Sequence, residues 1–272
     1  MSIGKFVCVP LSAGLLFSSS AYALENCVTP PSCEELGFTV NVEDCTGSSL
    51  KCPWDLSKAA CKVNTNKPIS CTVGSVLDGD QLCYEAGKLP DGISPIGIVF
   101  DEENRLAVAL TDVKKDGSAD SETMYWAEKS YDIPSLKDCQ YSDGDAAVDS
   151  CGIDGRANTT AILGCGSNCG TRYAAKAANT YNPSNCSADF CKQNQWFLPS
   201  MRDLVKIYAN KSIINASLSL LSSFGAKALT ESYYWSSTEH SNTYAWRFHM
   251  GSGYRVWSGK TGSSYVRPVV KY

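Results

Sequence analysis

Trp196-Phe197-Leu198-Pro199-Ser200-Met201-Arg202-Asp203-Leu204-Val205-Lys206-Ile207-Tyr208-Ala209-Asn210 is the stretch from which the fold is read. Ser200 is a good helix N-cap, because its hydroxyl can accept one of the N–H groups the first turn leaves free. Asp203, three residues on, can bond back to the Ser200 N–H and complete a capping-box-like pair. Leu204, Ile207 and Tyr208 then recur at helical spacing, which predicts a helix with these side chains toward a core. Working outward, Arg172–Tyr181 (RYAAKAANTY) reads as a preceding helix stopped by Asn182-Pro183, and Ile213–Phe224 as a following one ended by Gly225.

Strands flank the helices. Ile93–Phe100 (ISPIGIVF) and Arg105–Leu110 (RLAVAL) are β-branched and apolar, with the acidic turn Asp101-Glu102-Glu103-Asn104 between them. Residues 114–160 read as loop, with Asp-Gly pairs at 116–117, 143–144 and 154–155. In Tyr244–Met250 large apolar side chains alternate with small or polar ones, which predicts one face carrying Tyr244, Trp246, Phe248 and Met250. Gly251-Ser252-Gly253 turns the chain into Tyr254–Trp257, and Tyr265–Val270 is the last strand.

The first 23 residues have the layout of a secretory signal peptide. Lys5 supplies the positive end, Phe6–Phe17 the apolar run, and Ala21-Tyr22-Ala23 a small-x-small cleavage site, so the mature chain is expected to begin at Leu24. The run is shorter than the roughly 20 apolar residues a bilayer span needs. Cysteine usage agrees with export: of 14 cysteines, Cys8 lies in the signal, and the 13 that remain are expected to pair in an oxidising compartment. An odd number leaves one thiol free or bonded to another chain. Cys165 with Cys169, and Cys186 with Cys191, are spaced more loosely than zinc knuckles. With only His240 and His249 as imidazoles, disulfides are expected and metal is not.

Six cysteines (Cys27, Cys33, Cys45, Cys52, Cys61, Cys71) crowd residues 24–72, a segment too poor in apolar runs to build a core and expected to be a disulfide-braced module. If these six close among themselves, Cys83 becomes the odd one. Residues 73–272 form the main domain. Charge is uneven: residues 192–272 hold ten Lys or Arg against three acids, near +7, on a chain of net charge −4. A basic segment on an acidic protein attracts polyanions, unless its cations are scattered over a solvated surface.

Four blocks occur together in order. They are Trp196-x-Leu198-Pro199-Ser200-x-x-Asp203-Leu204, Tyr234-Trp235-Ser236-Ser237-Thr238, Ala245-Trp246, and Val266-Arg267-Pro268-Val269. Together they resemble the C-terminal domain of the Legionella collagen-like adhesin, also described as the Fibrobacter succinogenes major paralogous domain. The resemblance spans residues 196–269 and leaves the Cys-rich segment outside. It implies an α+β, C-type-lectin-like fold with two or three helices and a twisted antiparallel sheet, and an adhesin that binds sulfated glycosaminoglycans. Two departures stand out. The Glu-Pro-Asn and Trp-Asn-Asp motifs of calcium-dependent sugar-binding lectins are absent, so calcium-independent binding is expected. No cysteine follows Cys191, so the late-chain thiol chemistry of the related formylglycine-generating enzymes has no residue here.

No nucleophile is paired by spacing with a base, and neither a phosphate loop nor a Gly-x-Ser-x-Gly elbow occurs. His249 reads as an exposed strand residue and His240 as a loop residue. Trp196, Trp235 and Trp246 are expected in the core, and Arg267 is expected to tie down neighbouring carbonyls. Arg247, Arg255, Lys260, Tyr254 and Trp257 are the candidate ligand-binding residues, joined by Tyr233 and Tyr265 in a sugar-stacking or polyanion-binding face. The expectation is therefore an exported binding or adhesion protein at the cell surface, in the periplasm or secreted. It engages an acidic glycan or a surface protein and uses no cofactor, no nucleic acid and no transmembrane segment. The alternatives are a structural subunit of a surface assembly, linked through its odd cysteine, and, last, a hydrolase of surface polymers.

Overall fold

The computed structural model describes residues 32–34, 40–41, 49–52, 55–61 and 68–272 except 185 and 187. The signal-peptide assignment lies outside the described residues. The chain divides into two compact units, Met1–Thr65 and Asn66–Tyr272. In the first, β1 (Val40–Asn41), β2 (Ser49–Cys52) and β3 (Asp55–Cys61) form an antiparallel sheet in the order β1-β3-β2, with a disulfide between Cys33 and Cys52.

The second unit begins earlier than residue 73, and the reason is covalent. Cys71 pairs with Cys83, not within the Cys-rich segment, and Ile69 bridges to Cys83. Its strands are β4 (Val76–Asp78), β5 (Cys83–Tyr84), β6 (Pro95–Asp101), β7 (Leu106–Ala109), β8 (Met124–Tyr125), β9 (Tyr233–Glu239), β10 (Tyr244–His249), β11 (Tyr254–Gly259), β12 (Ser263–Ser264) and β13 (Val269–Lys271). Four α-helices lie between β8 and β9: α1 (Gly155–Leu163), α2 (Ala174–Thr180), α3 (Met201–Ala209) and α4 (Lys211–Leu220). The unit is α+β. A five-stranded sheet runs in the order β13-β7-β6-β4-β5, a three-stranded sheet in the order β11-β10-β9, and β8 pairs with β12; every paired strand is antiparallel.

The near-continuous apolar run of β6 follows from its place in the five-stranded sheet, which is covered on both faces. Leu77, Ile96, Val99, Ala107 and Val270 face a core containing Trp126, Trp196, Trp235 and the small side chains of α2. Val76, Ile98, Phe100, Val108 and Val269 face another, built from Leu204 and Ile207 of α3, Ile214 and Leu218 of α4, and Trp246 and Phe248 of β10. Alternation along β7 and β13 thus serves two cores rather than one core and solvent, and in β6 an irregularity opposite Leu77–Asp78 sends Ile96 and Ile98 to different cores. Four fully buried tryptophans are fixed by their indole N–H groups. Trp126 donates to the Ser236 carbonyl, Trp196 to Cys191, Trp235 to Met124 and Trp246 to Cys139, at 2.7–2.8 Å. Such pairing avoids an unmet buried donor, worth about 1–3 kcal/mol each.

The helix at Ser200 is as the sequence predicts: the Ser200 side chain accepts from the Asp203 N–H, and Asp203 accepts from the Ser200 N–H. Gly225, at φ 79°, closes the turn after α4. Helix α1 departs from the loop expected over 114–160. Asp154 caps it, and Gly155 opens it in place of the expected Asp-Gly turn. Glycine is required there: a Cβ on Gly155 would lie 2.9 Å from the Ser200 nitrogen and 3.0 Å from an Asp203 oxygen. The last strand is shorter than Tyr265–Val270, because Arg267 and Pro268 leave the ladder before β13 begins. Tyr244, at the open end of its strand, is exposed, while Trp246, Phe248 and Met250 on the same face are buried.

Four further disulfides brace this unit, with Cys71–Cys83 joined by Cys139–Cys151, Cys165–Cys169 and Cys186–Cys191. No helix among the described residues is long and apolar enough to cross a membrane.

Candidate functional site

The five candidate ligand residues do not share a surface. Register pairs Trp246 with Trp257 and Phe248 with Arg255, so Trp257 and Arg255 lie on the core-facing side of the β10–β11 hairpin. His249 pairs with Tyr254, which puts Tyr254 and Arg247 on the other side. Arg255 is a bidentate partner of Asp149, and Trp257 packs against His240 and Tyr244. The Arg247 guanidinium lies over the Tyr233 ring, 4.1 Å from its centroid. Lys260 corrects the expectation outright. It is fully buried, with its Nζ bonded to Glu239 and to the Tyr131 carbonyl and set against the Trp126 ring.

The basic charge of residues 192–272 is mostly matched by acidic partners. Seven of its ten cations are in ion pairs: Lys192–Asp189, Lys206–Asp101, Lys211–Glu231, Lys227–Asp120, Arg255–Asp149, Lys260–Glu239 and Arg267–Asp112. Arg202, Arg247 and Lys271 have no ion-pair partner among the described residues. Two of these three line one cleft, of about 280 Å³, and Arg156 joins them there.

Two helix N-termini converge to form this cleft. Asp154, Gly155 and Arg156 come from the start of α1, Arg202 and Asp203 from the start of α3, and Lys271 from the end of β13. Phe197 forms part of its wall, with the Arg156 guanidinium 5.2 Å above the ring. Arg156 is held in place by hydrogen bonds to the Gln195 side chain and carbonyl, at 3.1 and 2.9 Å. Both acids are engaged in capping: Asp154 accepts from the Ala157 N–H, and one Asp203 oxygen accepts from the Ser200 N–H and hydroxyl. The other Asp203 oxygen and the Arg202 Nε are buried and unpartnered. Burial pushes the Asp203 carboxyl above its ordinary range, opposed by the Ser200 bonds and the Arg202 charge. Helix N-termini carry partial positive charge, and three cations against the two capping carboxylates leave the lining with a cationic excess. The volume sits just below the roughly 300–1,000 Å³ of drug-sized sites. Sequence reading missed the cleft because Arg156 falls in the segment taken as loop and Lys271 follows the last block. Its one visible signal was the Ser200–Asp203 cap.

The four sequence blocks form the scaffold behind this cleft. The Ser237 N–H donates to the Pro199 carbonyl, the Met201 N–H to the Thr238 hydroxyl, and the Leu198 N–H to the Thr159 hydroxyl. The Ser236 hydroxyl donates to the Trp246 carbonyl. Arg267 donates to the carbonyls of Lys227 and Ala109, and Pro268 accepts from the Ala109 N–H.

A second charged cluster sits where the segment Tyr131–Cys139 meets the end of β9. Single oxygens of Asp132, Asp138 and Glu239 lie within 4.8 Å of one another. Burial pushes the Glu239 carboxyl up to about 7, with Asp132 and Asp138 adding to the effect against the pull of Lys260. Burial likewise pushes the Lys260 amine down.

Fold and cleft together define a disulfide-braced α+β domain with a cationic recess at paired helix N-termini. The chain belongs to the Lcl C-terminal domain family, which matches residues 119–270 and contains all four sequence blocks. No curated protein matches the chain. A fimbrial protein from Bacteroides ovatus shares the fold at a TM-score of 0.51 and 17% identity. That match covers 74% of this chain and 49% of the fimbrial protein, so the chain spans about half that protein's length.

Proposed function

We propose that this chain is an exported, surface adhesin-type protein whose Lcl C-terminal domain, C-type-lectin-like in architecture, holds an acidic group of a glycan in the cleft between α1 and α3. The observation that carries the reading is the charge distribution. Most cations of the basic segment are locked in ion pairs, while Arg156, Arg202 and Lys271 gather around the recess. A carboxylate or sulfate ester there meets guanidinium forks suited to planar and tetrahedral oxyanions, with the Phe197 ring beside them. Contact is made by protein groups alone, and the role is binding rather than catalysis. The test is a glycan array probed with the oxidised mature chain at low and high salt. Binding to sulfated or uronate glycans that weakens with salt supports the reading; no binding, or binding to neutral glycans alone, refutes it.

A second reading, a structural subunit of a surface assembly, draws on the fold shared with a fimbrial protein and on the 13 of 14 cysteines that remain once the expected signal is removed. A covalent dimer on a non-reducing gel supports it, and a monomer band alone counts against the cysteine link.

A further inference from the structure

We propose that Asp132, Asp138 and Glu239 form a divalent-cation site of the calcium class, which fastens the segment Tyr131–Cys139 to the end of β9. Three observations carry it. First, the carboxylates converge, with one oxygen from each inside a 4.8 Å circle. Oxygens bound to one calcium at about 2.3–2.6 Å are no more than about 5 Å apart. Second, the Glu239 side chain is fully buried, and its Oε2 has no hydrogen-bond partner. A buried carboxylate oxygen left unmet is costly, and a cation seated between the three side chains meets it. Third, the charges do not balance. Lys260 brings one ammonium to three carboxylates, and that ammonium is already bonded to Glu239 and the Tyr131 carbonyl. The excess is two negative charges, which one divalent ion neutralises.

The ligands are positioned before any ion arrives. Ile133 is buried in the core, and the Cys139 N–H donates to the Glu239 carbonyl at 3.0 Å. Cys139 is further tied by its disulfide to Cys151. Asp132 and Asp138 therefore hang from a segment anchored at both ends. Both are exposed, so an ion enters from solvent and meets Glu239 at the bottom. Three carboxylates, two of them open to solvent, leave room for the further oxygen ligands calcium takes, whereas magnesium demands a tighter octahedron. The site is separate from the cleft of Arg156, Arg202 and Lys271 and does not depend on glycan binding there.

The test uses the oxidised mature chain after removal of metal by chelation, with thermal unfolding followed in calcium, magnesium or sodium chloride at matched ionic strength. Calcium a hundredfold above its Kd is expected to raise Tm by about 5–10 °C, and magnesium by less. Asp132→Asn/Asp138→Asn changes two exposed groups, so the variant folds, and its calcium response is expected to vanish. Its metal-free Tm is expected to equal or exceed that of the parent, because like-charge repulsion is gone. An absent calcium shift in the parent, or an equal shift in the double variant, overturns the proposal.

Discussion

The Arg267 guanidinium lies 3.0 Å from the Asp112 carboxylate with both side chains 1% exposed, joining residues far apart in the chain. Arg267 also reaches the carbonyls of Ala109 in β7 and Lys227 ahead of β9, while Asp112 accepts from the hydroxyls of Ser121 and Tyr234. One side chain thus clamps β7, the loop before β9 and the approach to β13. Removing one member of a buried pair strands the other charge, at about 3–5 kcal/mol. Arg267→Met is expected to lose that much in urea unfolding. Arg267→Lys keeps the charge but not the fork, and is expected to recover only part of it. Arg267→Met/Asp112→Leu removes both charges and is expected to be more stable than Arg267→Met alone.

The Cys139–Cys151 and Cys165–Cys169 bridges invite a direct comparison. The first closes a loop of sequence separation 12 and holds the carbonyl that accepts the Trp246 indole; the second closes a separation of 4. Chain-entropy reasoning assigns the longer loop about 1 kcal/mol more stabilisation. Replacing both cysteines by serine at 139 and 151 is expected to lower Tm by roughly 5–15 °C in calorimetry, and the 165/169 pair by less. Equal losses would show that packing around the bridges, not loop length, sets their contribution.

What the sequence made legible follows from where each signal resides. Helix α3 was readable because its cap and its apolar side are local: Ser200, Asp203, Leu204 and Ile207 lie within eight residues. The β10–β11 hairpin was readable for the same reason. Helix α1 was not, because its inward side is polar. The Asn158 amide donates to the Ser237 hydroxyl, and Thr159 accepts from the Leu198 N–H, partners 79 and 39 residues away. Hydrophobic periodicity cannot register a helix face satisfied by hydrogen bonds. The site suffered most. Counting cations marked Arg255 and Lys260 as surface groups, yet their partners Asp149 and Glu239 are invisible at short range, and pairing decides which charges remain available.

Asp101 gives the pH dependence a definite sign. Burial, the largest single influence, pushes its carboxyl up. The Lys206 ammonium and two bonds from Asn104 together outweigh burial and hold it below the usual 3.8. A carboxyl more acidic in the folded than the unfolded chain stabilises above its unfolded value and loses that contribution as pH falls through its folded value. The parent is therefore expected to lose Tm more steeply below about pH 4 than Asp101→Asn. At pH 7 that variant is expected to be about 1–3 kcal/mol less stable. Parallel acid limbs for the two proteins would assign the acid sensitivity to other carboxylates.

The cleft and the hairpin are separated by charge reversal. Lys271→Glu alters an exposed group without an ion-pair partner and is expected to change stability by no more than about 0.5 kcal/mol. Arg202→Glu sets a second acid beside the buried Asp203 carboxyl and is expected to cost more than that. Each is expected to weaken binding of a sulfated glycan about tenfold or more. Their combination is expected to flatten the salt dependence as well, because the attraction being screened is then gone. Arg255→Gln makes the opposite pattern. It breaks a bidentate pair with Asp149 that is largely shielded from solvent, so a loss of about 1–3 kcal/mol in stability is expected. Its glycan affinity is expected to match the parent's when measured by calorimetry below both unfolding transitions. If Arg255→Gln instead abolishes binding while the two reversals leave it intact, the hairpin is the contact surface and the cleft is not.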